Sequence, residues 1–140
     1  MKVFLDTNVL ASGIATRGLC SELLESVLLH DHELLTCKPV LQELERVLTE
    51  KLRLPETVVA GFLALLKAEG TVVESRKNPS IPIKDTDDIP ILACAIAGKA
   101  DVFVTGDKEL LDLRKIEDLA VVSPRELWNQ LAGLEPGKRK

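Results

Sequence analysis

Aromatic residues are scarce in this chain of 140 residues, where they make up 3% of the sequence and tyrosine is absent. This scarcity excludes the stacking platforms on which RRM and OB modules bind single-stranded bases. Cysteine is also sparse, with three residues at Cys20, Cys37 and Cys94. Widely spaced thiols in apolar runs predict neither a disulfide framework nor a zinc knuckle, and they suit a reducing cytoplasm.

Long apolar runs are missing as well. The longest uncharged apolar stretches, residues 58–66 and 89–98, are shorter than the ~18 residues that a membrane span needs, so no membrane association is expected. Asp6 lies where a signal peptide would be apolar, and no small-residue cleavage site follows it, so secretion is not expected either. With 46% hydrophobic residues, the chain can bury a sizeable core. We predict one domain over residues 1–132 and a basic disordered tail at 133–140.

Short β-branched apolar runs alternate with helical patterns along the chain. This alternation predicts an α/β fold with a central, mainly parallel sheet of about five strands. The predicted strands are residues 2–5, 33–36, 71–74, 102–105 and 120–122. The predicted helices are residues 18–30, 38–52, 55–69, 87–98 and 107–113, and one after Ser123-Pro124, where Ser is a plausible N-cap.

Acidic residues follow two of these strands. Ligands of parallel sheets bind outside the carboxyl ends of the strands, and Asp6 comes directly after the first predicted strand. Asp107 comes after the fourth, beyond a Thr105-Gly106 turn. A further acidic run, residues 85–88, precedes Pro90, and proline is tolerated only in the first turn of a helix. Asp88 is therefore expected at a helix N-terminus, on the same stripe as the apolar residues that follow.

These acids also have structural interpretations. Asp107 could only cap a helix, Asp88 could only interact with a helix dipole, and Asp6 could only stabilise a turn. In the helix at 38–52, Glu43 and Glu45 border opposite flanks of the apolar arc, and periodicity does not choose between them. If the acids converge, however, unpaired carboxylates repel one another unless they share protons or a cation. Oxygen ligands of this kind select Mg²⁺ or Mn²⁺.

Four segments resemble the motifs of PIN-domain nucleases, in order and at the usual spacing. They are VFLDTNVL at residues 3–10, LQEL at 41–44, DIPILACA at 88–95 and ADVFVTGD at 100–107. The resemblance spans about residues 1–125 and is most specific in the first and last two motifs. Within the family, the chain most resembles the VapC-like toxins of toxin–antitoxin pairs.

The resemblance implies a PIN-like three-layer α/β sandwich and a metal-dependent endoribonuclease. It implies four catalytic acids, which we call the site acids: Asp6, Glu43, Asp88 and Asp107. Asp6, Asp88 and Asp107 are then the ligands of Mg²⁺ or Mn²⁺, while Asn8 and Thr105 support the site. A homodimer and inhibition by a small antitoxin protein are also implied, with the apolar segment 58–66 as a suspected contact surface.

The net charge of −4 is unusual for a protein that binds nucleic acid. The chain has 22 acidic and 18 basic residues, so the excess equals the number of site acids. A bound cation would leave a less acidic surface for phosphate. Arg17 and Lys108 could steer RNA near the expected mouth of the site, or they could be ordinary solvated residues.

Three alternatives remain open from the sequence. A haloacid-dehalogenase-like phosphatase needs a second acid two residues after the first, but Asn8 occupies that position and has no titratable proton. A metal-independent ribonuclease would use histidine, and only His30 and His32 are available. The third alternative is a non-catalytic PIN-like module that binds RNA or protein.

Overall fold

The computed structural model describes residues 1–77 and 79–133, which form helices around one sheet. The strands are β1 (Lys2–Leu5), β2 (Glu33–Thr36), β3 (Thr71–Val72), β4 (Val102–Val104), β5 (Lys115–Ile116) and β6 (Leu119–Val122). The helices are α1 (Thr7–Ala15), α2 (Leu19–Leu29), α3 (Lys38–Arg46), α4 (Glu56–Glu69), α5 (Ile89–Ala97), α6 (Lys108–Leu113) and α7 (Pro124–Leu131). A π-helical turn, Val47–Lys51, continues α3, and a 3-10 turn, Thr86–Asp88, leads into α5.

The sheet has the order β3-β2-β1-β4-β6-β5. All neighbouring strands are parallel except β5, which runs antiparallel to β6. The prediction of an α/β fold with a mainly parallel sheet is therefore confirmed, and each predicted strand is present, the third and fourth of them shorter than expected. The sixth strand, β5, is not predicted because two residues are too short for a periodic pattern.

Helices cover both faces of the sheet. Gly70, at the end of α4, lies against Leu34, whereas Gly98, at the end of α5, lies against Leu35. Because consecutive residues of a strand point to opposite faces, α4 and α5 lie on opposite sides. The three-layer arrangement buries β1 and β4 on both faces, which explains their almost continuous apolar sequence.

Helix α1 is not predicted by the sequence pattern. Its nine residues include Thr7, Asn8 and Gly13, all weak helix formers, so local propensity does not favour it. The helix begins at Thr7, and Asp6 caps it with a carboxylate that accepts a hydrogen bond from the Thr7 backbone N–H. Close packing on α2 completes its stabilisation, since a methyl group on Gly13 would lie 2.9 Å from the carbonyl oxygen of Cys20.

The other predicted helices are present, with two changes of geometry. The helix expected over 38–52 is α3 followed by the π-helical turn, and the helix expected over 87–98 begins as a 3-10 turn. Ser123 caps α7 as predicted, through a reciprocal pair of hydrogen bonds with Glu126.

Two further expectations concern membrane-spanning segments and the C-terminal tail. Among the residues described, no helix is long and apolar enough to cross a membrane. Apart from Gly133, the tail predicted at 133–140 lies outside the described residues.

Candidate active site

The candidate site lies where the strand order changes direction. From β1 the chain adds β2 and β3 on one side, and it then returns to place β4 on the other side of β1. Leu5 at the end of β1 pairs with Val104 at the end of β4. The next residues, Asp6 and Thr105, therefore leave the sheet side by side at its carboxyl edge, the position at which such sheets bind ligands.

The Asp6 carboxylate is partly buried and is held by two hydrogen bonds. Its Oδ1 accepts from the Thr7 backbone N–H at 2.8 Å, and its Oδ2 accepts from the Thr105 hydroxyl at 2.8 Å. Burial raises the pKa of Asp6, although both hydrogen bonds act to lower it. The charges of Glu43 and Asp107 raise the pKa further, which places both acids within electrostatic range of Asp6.

Thr105 connects two of the site acids. It is fully buried, and its hydroxyl donates to Asp6 while accepting a hydrogen bond from the Asp107 backbone N–H at 3.0 Å. Both the donor and the acceptor capacity of this hydroxyl are therefore used. The family resemblance predicts a supporting role for Thr105, and that role stays a prediction.

Asp88 ends the 3-10 turn before α5, and its carboxylate makes no capping hydrogen bond. Loss of solvent raises the pKa of Asp88 to about 6, and the charges of Asp6, Asp85, Asp107 and Glu43 add to the effect. Within the acidic run, Asp85 and Asp87 are exposed, and Asp85 accepts a hydrogen bond from the Asp87 backbone N–H. Asp88 is thus the acid of this run that turns toward the other carboxylates.

Glu43 and Asp107 complete the group from its solvent side. Glu43, on α3, is exposed and contributes to the raised pKa of both Asp6 and Asp88, whereas Glu45 does not. Asp107 is also exposed, and it caps α6 by accepting a hydrogen bond from the Glu109 backbone N–H at 2.9 Å. Asp107 therefore acts as a helix cap and also faces the other acids.

The remaining site candidates lie around this group. Asn8 is exposed in the first turn of α1, and no hydrogen bond joins it to the acids among the described residues. Arg17 is exposed between α1 and α2, and Lys108 is the exposed first residue of α6. Their roles in the site stay predictions.

The histidines lie at the other edge of the sheet. His30 and His32 precede β2, whereas Asp6 and Asp107 come after the carboxyl ends of strands and Asp88 precedes α5. His32 interacts through Nδ1 with the amino terminus of Met1 at 3.2 Å, and burial lowers its pKa. Neither histidine is therefore available to the carboxylates.

One neighbour of Asp6 was not predicted as part of the site. Cys37 follows β2, opposite Asp6 by extension of the β1–β2 register, and it is fully buried near Cys94. Burial raises the pKa of the Cys37 thiol to about 12, so it stays protonated and is no nucleophile. The parallel register, rather than any motif, is the signal that would have placed it here.

The donor set fits a hard divalent cation. It consists of carboxylates alone, and the least compensated, Asp88, has no capping hydrogen bond to lose on binding. Within the described part of the chain, no three His, Cys, Asp or Glu side chains come close enough to hold an ion directly. Mg²⁺ is commonly bound directly by one or two protein carboxylates and keeps several of its waters. Such an ion therefore needs fewer than three of these carboxylates as direct ligands.

The doubly covered, mainly parallel sheet makes this an α/β protein, and the acids at its switch point form a candidate ligand site. A family model of the PIN domain matches residues 2–109. The chain therefore belongs to the PIN-domain family, whose members are generally nucleases. This confirms the family resemblance, and the match decides against a dehalogenase-like phosphatase.

A chain in the crystal structure of VapBC2 from Rickettsia felis, bound to a DNA fragment from their promoter, is similar in fold. The TM-score is 0.62 at 20% sequence identity, and the match covers 88% of this chain and 98% of that chain. No curated protein matches the chain.

Proposed function

We propose that the protein is an endoribonuclease that hydrolyses RNA phosphodiester bonds with Mg²⁺ or Mn²⁺ as cofactor. The observation that supports this best is the mutual electrostatic effect of the site acids at the switch point of the sheet. Neighbouring carboxylates repel one another, and a bound cation removes this repulsion. A group of carboxylates of this kind is therefore typical of a cation site. The histidines, which a metal-independent ribonuclease would need, lie at the opposite edge.

Each site acid has a distinct environment from which its role follows. Asp6 is the best-oriented ligand, because the Thr7 N–H and the Thr105 hydroxyl hold its two oxygens. Asp88 and Asp107 would interact with the ion mainly through its bound waters, while exposed Glu43 would face the substrate side. Asn8 would support the site from α1. The chemistry that a bound divalent ion supplies there is activation of water and neutralisation of charge on the phosphate.

Cleavage of a labelled single-stranded RNA in Mg²⁺, in Mn²⁺ and in EDTA tests the proposal. We expect cleavage with either ion and none in EDTA. Asp88→Asn should reduce the rate more than about 100-fold. Even the loss of a residue that only orients a metal ligand reduces metal affinity or activity by about 10–100-fold. Asp87→Asn, an exposed change in the same turn, is the matched control and should retain activity.

Two results would contradict the proposal. Full cleavage in EDTA would show that the carboxylates do not act through a metal ion. Tight RNA binding without cleavage under any metal condition would instead identify a non-catalytic PIN-like binding module.

We further propose that the protein is the toxin of a toxin–antitoxin pair and is inhibited by a small partner protein. The likeness in fold to a chain of the VapBC2 structure supports this. The three free cysteines suit a cytoplasmic setting for such a pair. A short reading frame beside the gene, encoding a protein that binds this chain, is the expected finding.

The acidic site suggests how such a partner inhibits. An arginine can bridge two carboxylates in a bidentate manner, and it would occupy the position of the cation and the phosphate together. Asp6→Asn with Asp107→Asn should then weaken the complex by about tenfold or more, as should loss of the partner's arginine. Unchanged affinity in both variants would place the contact elsewhere, such as on α4.

A further inference from the structure

Two adjoining cavities form a groove along one side of α5. The first has a volume of about 260 Å³ and extends from Lys38 and Pro90 to Cys94. The second, of about 490 Å³, continues from Ala93 to Ile96 and Lys99. The segment 74–77 lines both cavities, so they share a wall. We call this feature the α5 groove.

One end of the α5 groove lies beside the start of α5, near the candidate active site, and none of the site acids is among its described lining residues. Pro90 lies two residues beyond Asp88, and Lys38 directly follows Cys37, the neighbour of Asp6. The groove then follows α5, whose nine residues span about 13 Å, toward the opposite edge of the sheet. A strand bound at the carboxylates would reach the groove by passing over the first turn of α5.

The charge of the α5 groove is opposite to that of the whole protein. Its described lining contains four cations, Lys38, Arg76, Lys77 and Lys99, and two carboxylates, Glu74 and Glu117. The net charge of the whole chain is −4. A positively charged groove beside an acidic site directs a polyanion toward that site.

The floor of the groove indicates how a polyanion would be held. Ala93, Ile96 and Ala97 provide an apolar surface, and no aromatic side chain is present among the described lining residues. Bases therefore have no ring on which to stack, and binding has to use the phosphates. This favours contact that does not depend on sequence.

We propose that the α5 groove binds the RNA strand next to the cleavage site, with its phosphates contacted by Lys38, Arg76, Lys77 and Lys99. The inference rests on the proposed ribonuclease function, and it assigns the strand a path different from the one predicted through Arg17 and Lys108. An acidic peptide also suits the charge of the groove. The position of the groove beside the start of α5, which Asp88 precedes, favours RNA.

The test measures binding of a fluorescent 12-nucleotide oligouridylate in Mg²⁺, in an Asp88→Asn background that prevents cleavage. Arg76→Ala with Lys77→Ala should raise Kd about tenfold. It should also reduce the slope of log K against log salt by about 1.4, the value for two lost phosphate contacts. The matched control, Lys51→Ala with Lys67→Ala, removes two exposed cations in and just before α4 and should change Kd less than about twofold.

Cleavage kinetics and crosslinking provide independent measurements. With Asp88 intact, the groove variant should raise KM and leave kcat within about twofold, because it alters binding and not the reacting groups. Photocrosslinking with 4-thiouridine RNA should label residues 73–77 and 90–99. Labelling confined to the surroundings of Arg17 and Lys108 would overturn the proposal.

The outcomes separate the two proposals. If the unaltered chain cuts RNA and the groove variant binds it as tightly as the control, the groove assignment alone fails. If the unaltered chain neither binds nor cuts RNA, the ribonuclease proposal and the groove assignment both fail. Binding of polyglutamate that is lost in the groove variant, without an effect on RNA, would make the groove a peptide site.

Discussion

Asp6 and Asp88 face the same group of carboxylates, but their charges are compensated differently. The carboxylate of Asp6 accepts two hydrogen bonds, which offset part of the cost of its burial. The carboxylate of Asp88 has no capping hydrogen bond, and its pKa rises to about 6. The negative charge of Asp88 is therefore the one that destabilises the metal-free fold most clearly.

The first prediction concerns the pH dependence of stability. The pKa of Asp88 is about 6 in the fold and 3.8 ordinarily, so the unfolded chain loses this proton first as the pH rises. Stability is thus lost between about pH 4 and pH 6 and stays lower above that range. Asp88→Asn should stabilise the metal-free protein by about 1 kcal/mol at pH 7.5, after allowing for solvent screening.

Thermal unfolding in EDTA at pH 4 and at pH 7.5 measures this effect. The gain from Asp88→Asn should be near zero at the lower pH and present at the higher one. Asp87→Asn is the control, because Asp87 is exposed in the same turn. A gain that is equal at both pH values would mean that the charge of Asp88 is not its cause.

The second prediction concerns the Thr105 hydroxyl. Thr105→Val keeps the shape of the side chain but removes the hydrogen bonds to Asp6 and from the Asp107 N–H. We expect a loss of about 1–3 kcal/mol in unfolding free energy. Divalent-ion affinity should also fall, because Asp6 loses a donor that lowers its pKa.

Thr36 offers a matched control for this substitution. Its hydroxyl is equally buried but has no hydrogen-bond partner within the described residues. Thr36→Val should therefore leave stability unchanged or increase it. Urea unfolding of both variants, with Thr105→Ser as the conservative replacement, measures the difference. Equal losses in the two valine variants would show that the hydrogen bonds of Thr105 contribute nothing specific.

At the scale of elements, the contact between α1 and α2 depends on a glycine. A methyl group on Gly13 would lie 2.9 Å from the backbone oxygen of Cys20, so the helices would have to separate. Gly13→Ala should destabilise the protein by about 1–3 kcal/mol. Gly61, inside α4, has open space around the corresponding position, and Gly61→Ala should stabilise by about 0.5–1 kcal/mol.

Circular dichroism during thermal unfolding checks this pair, since both changes add the same methyl group to a helix. We expect Gly13→Ala to lower the thermal midpoint and Gly61→Ala to raise it. A stabilising Gly13→Ala would mean that α1 and α2 are not packed as closely as the contact with Cys20 requires.

A helix or strand can be predicted from the sequence when its own residues, rather than tertiary contacts, determine its structure. Five strands and most helices are predictable because their apolar periodicity is sustained over several residues. Helix α1 is not, because Thr7, Asn8 and Gly13 oppose it and its packing on α2 comes from tertiary structure. Strand β5 has only two residues and depends on its pairing with β6.

The residues of the candidate site also divide into those that the local sequence predicts and those that depend on tertiary structure. Asp6 and Asp107 were predictable from their places after strands, and Pro90 located Asp88 at the start of a helix. Glu43 could not be separated from Glu45 by periodicity alone, because the choice depends on how α3 packs on α1 and α5. The proximity of Cys37 and the basic lining of the α5 groove arise from strand register and chain path, which no local pattern contains.

At the scale of the whole molecule, α4 presents an apolar surface to solvent. Val58 and Leu65 are 40% and 43% exposed, and partly buried Phe62 lies between them on the same side of the helix. We propose that this surface is the contact of a homodimer. Leu65→Asp should convert a dimer to a monomer in sedimentation velocity, with Ala60→Asp, the same change of charge at an exposed position on the opposite side of α4, as the control. A dimer that persists in Leu65→Asp would contradict this contact.

The whole molecule also carries an electrostatic imbalance that a cation should correct. The chain has 22 acids against 18 basic residues, and the four site acids equal the excess. An ion that binds the folded but not the unfolded chain stabilises the protein by about 2.7 kcal/mol when its free concentration is a hundred times its Kd. Mn²⁺ should therefore raise the thermal midpoint, and EDTA should reverse the rise. Sodium chloride at the same ionic strength reports general screening alone, and Asp6→Asn should remove the specific part. If sodium chloride matched Mn²⁺ in the unaltered protein, the site acids would be responding to ionic strength rather than binding an ion.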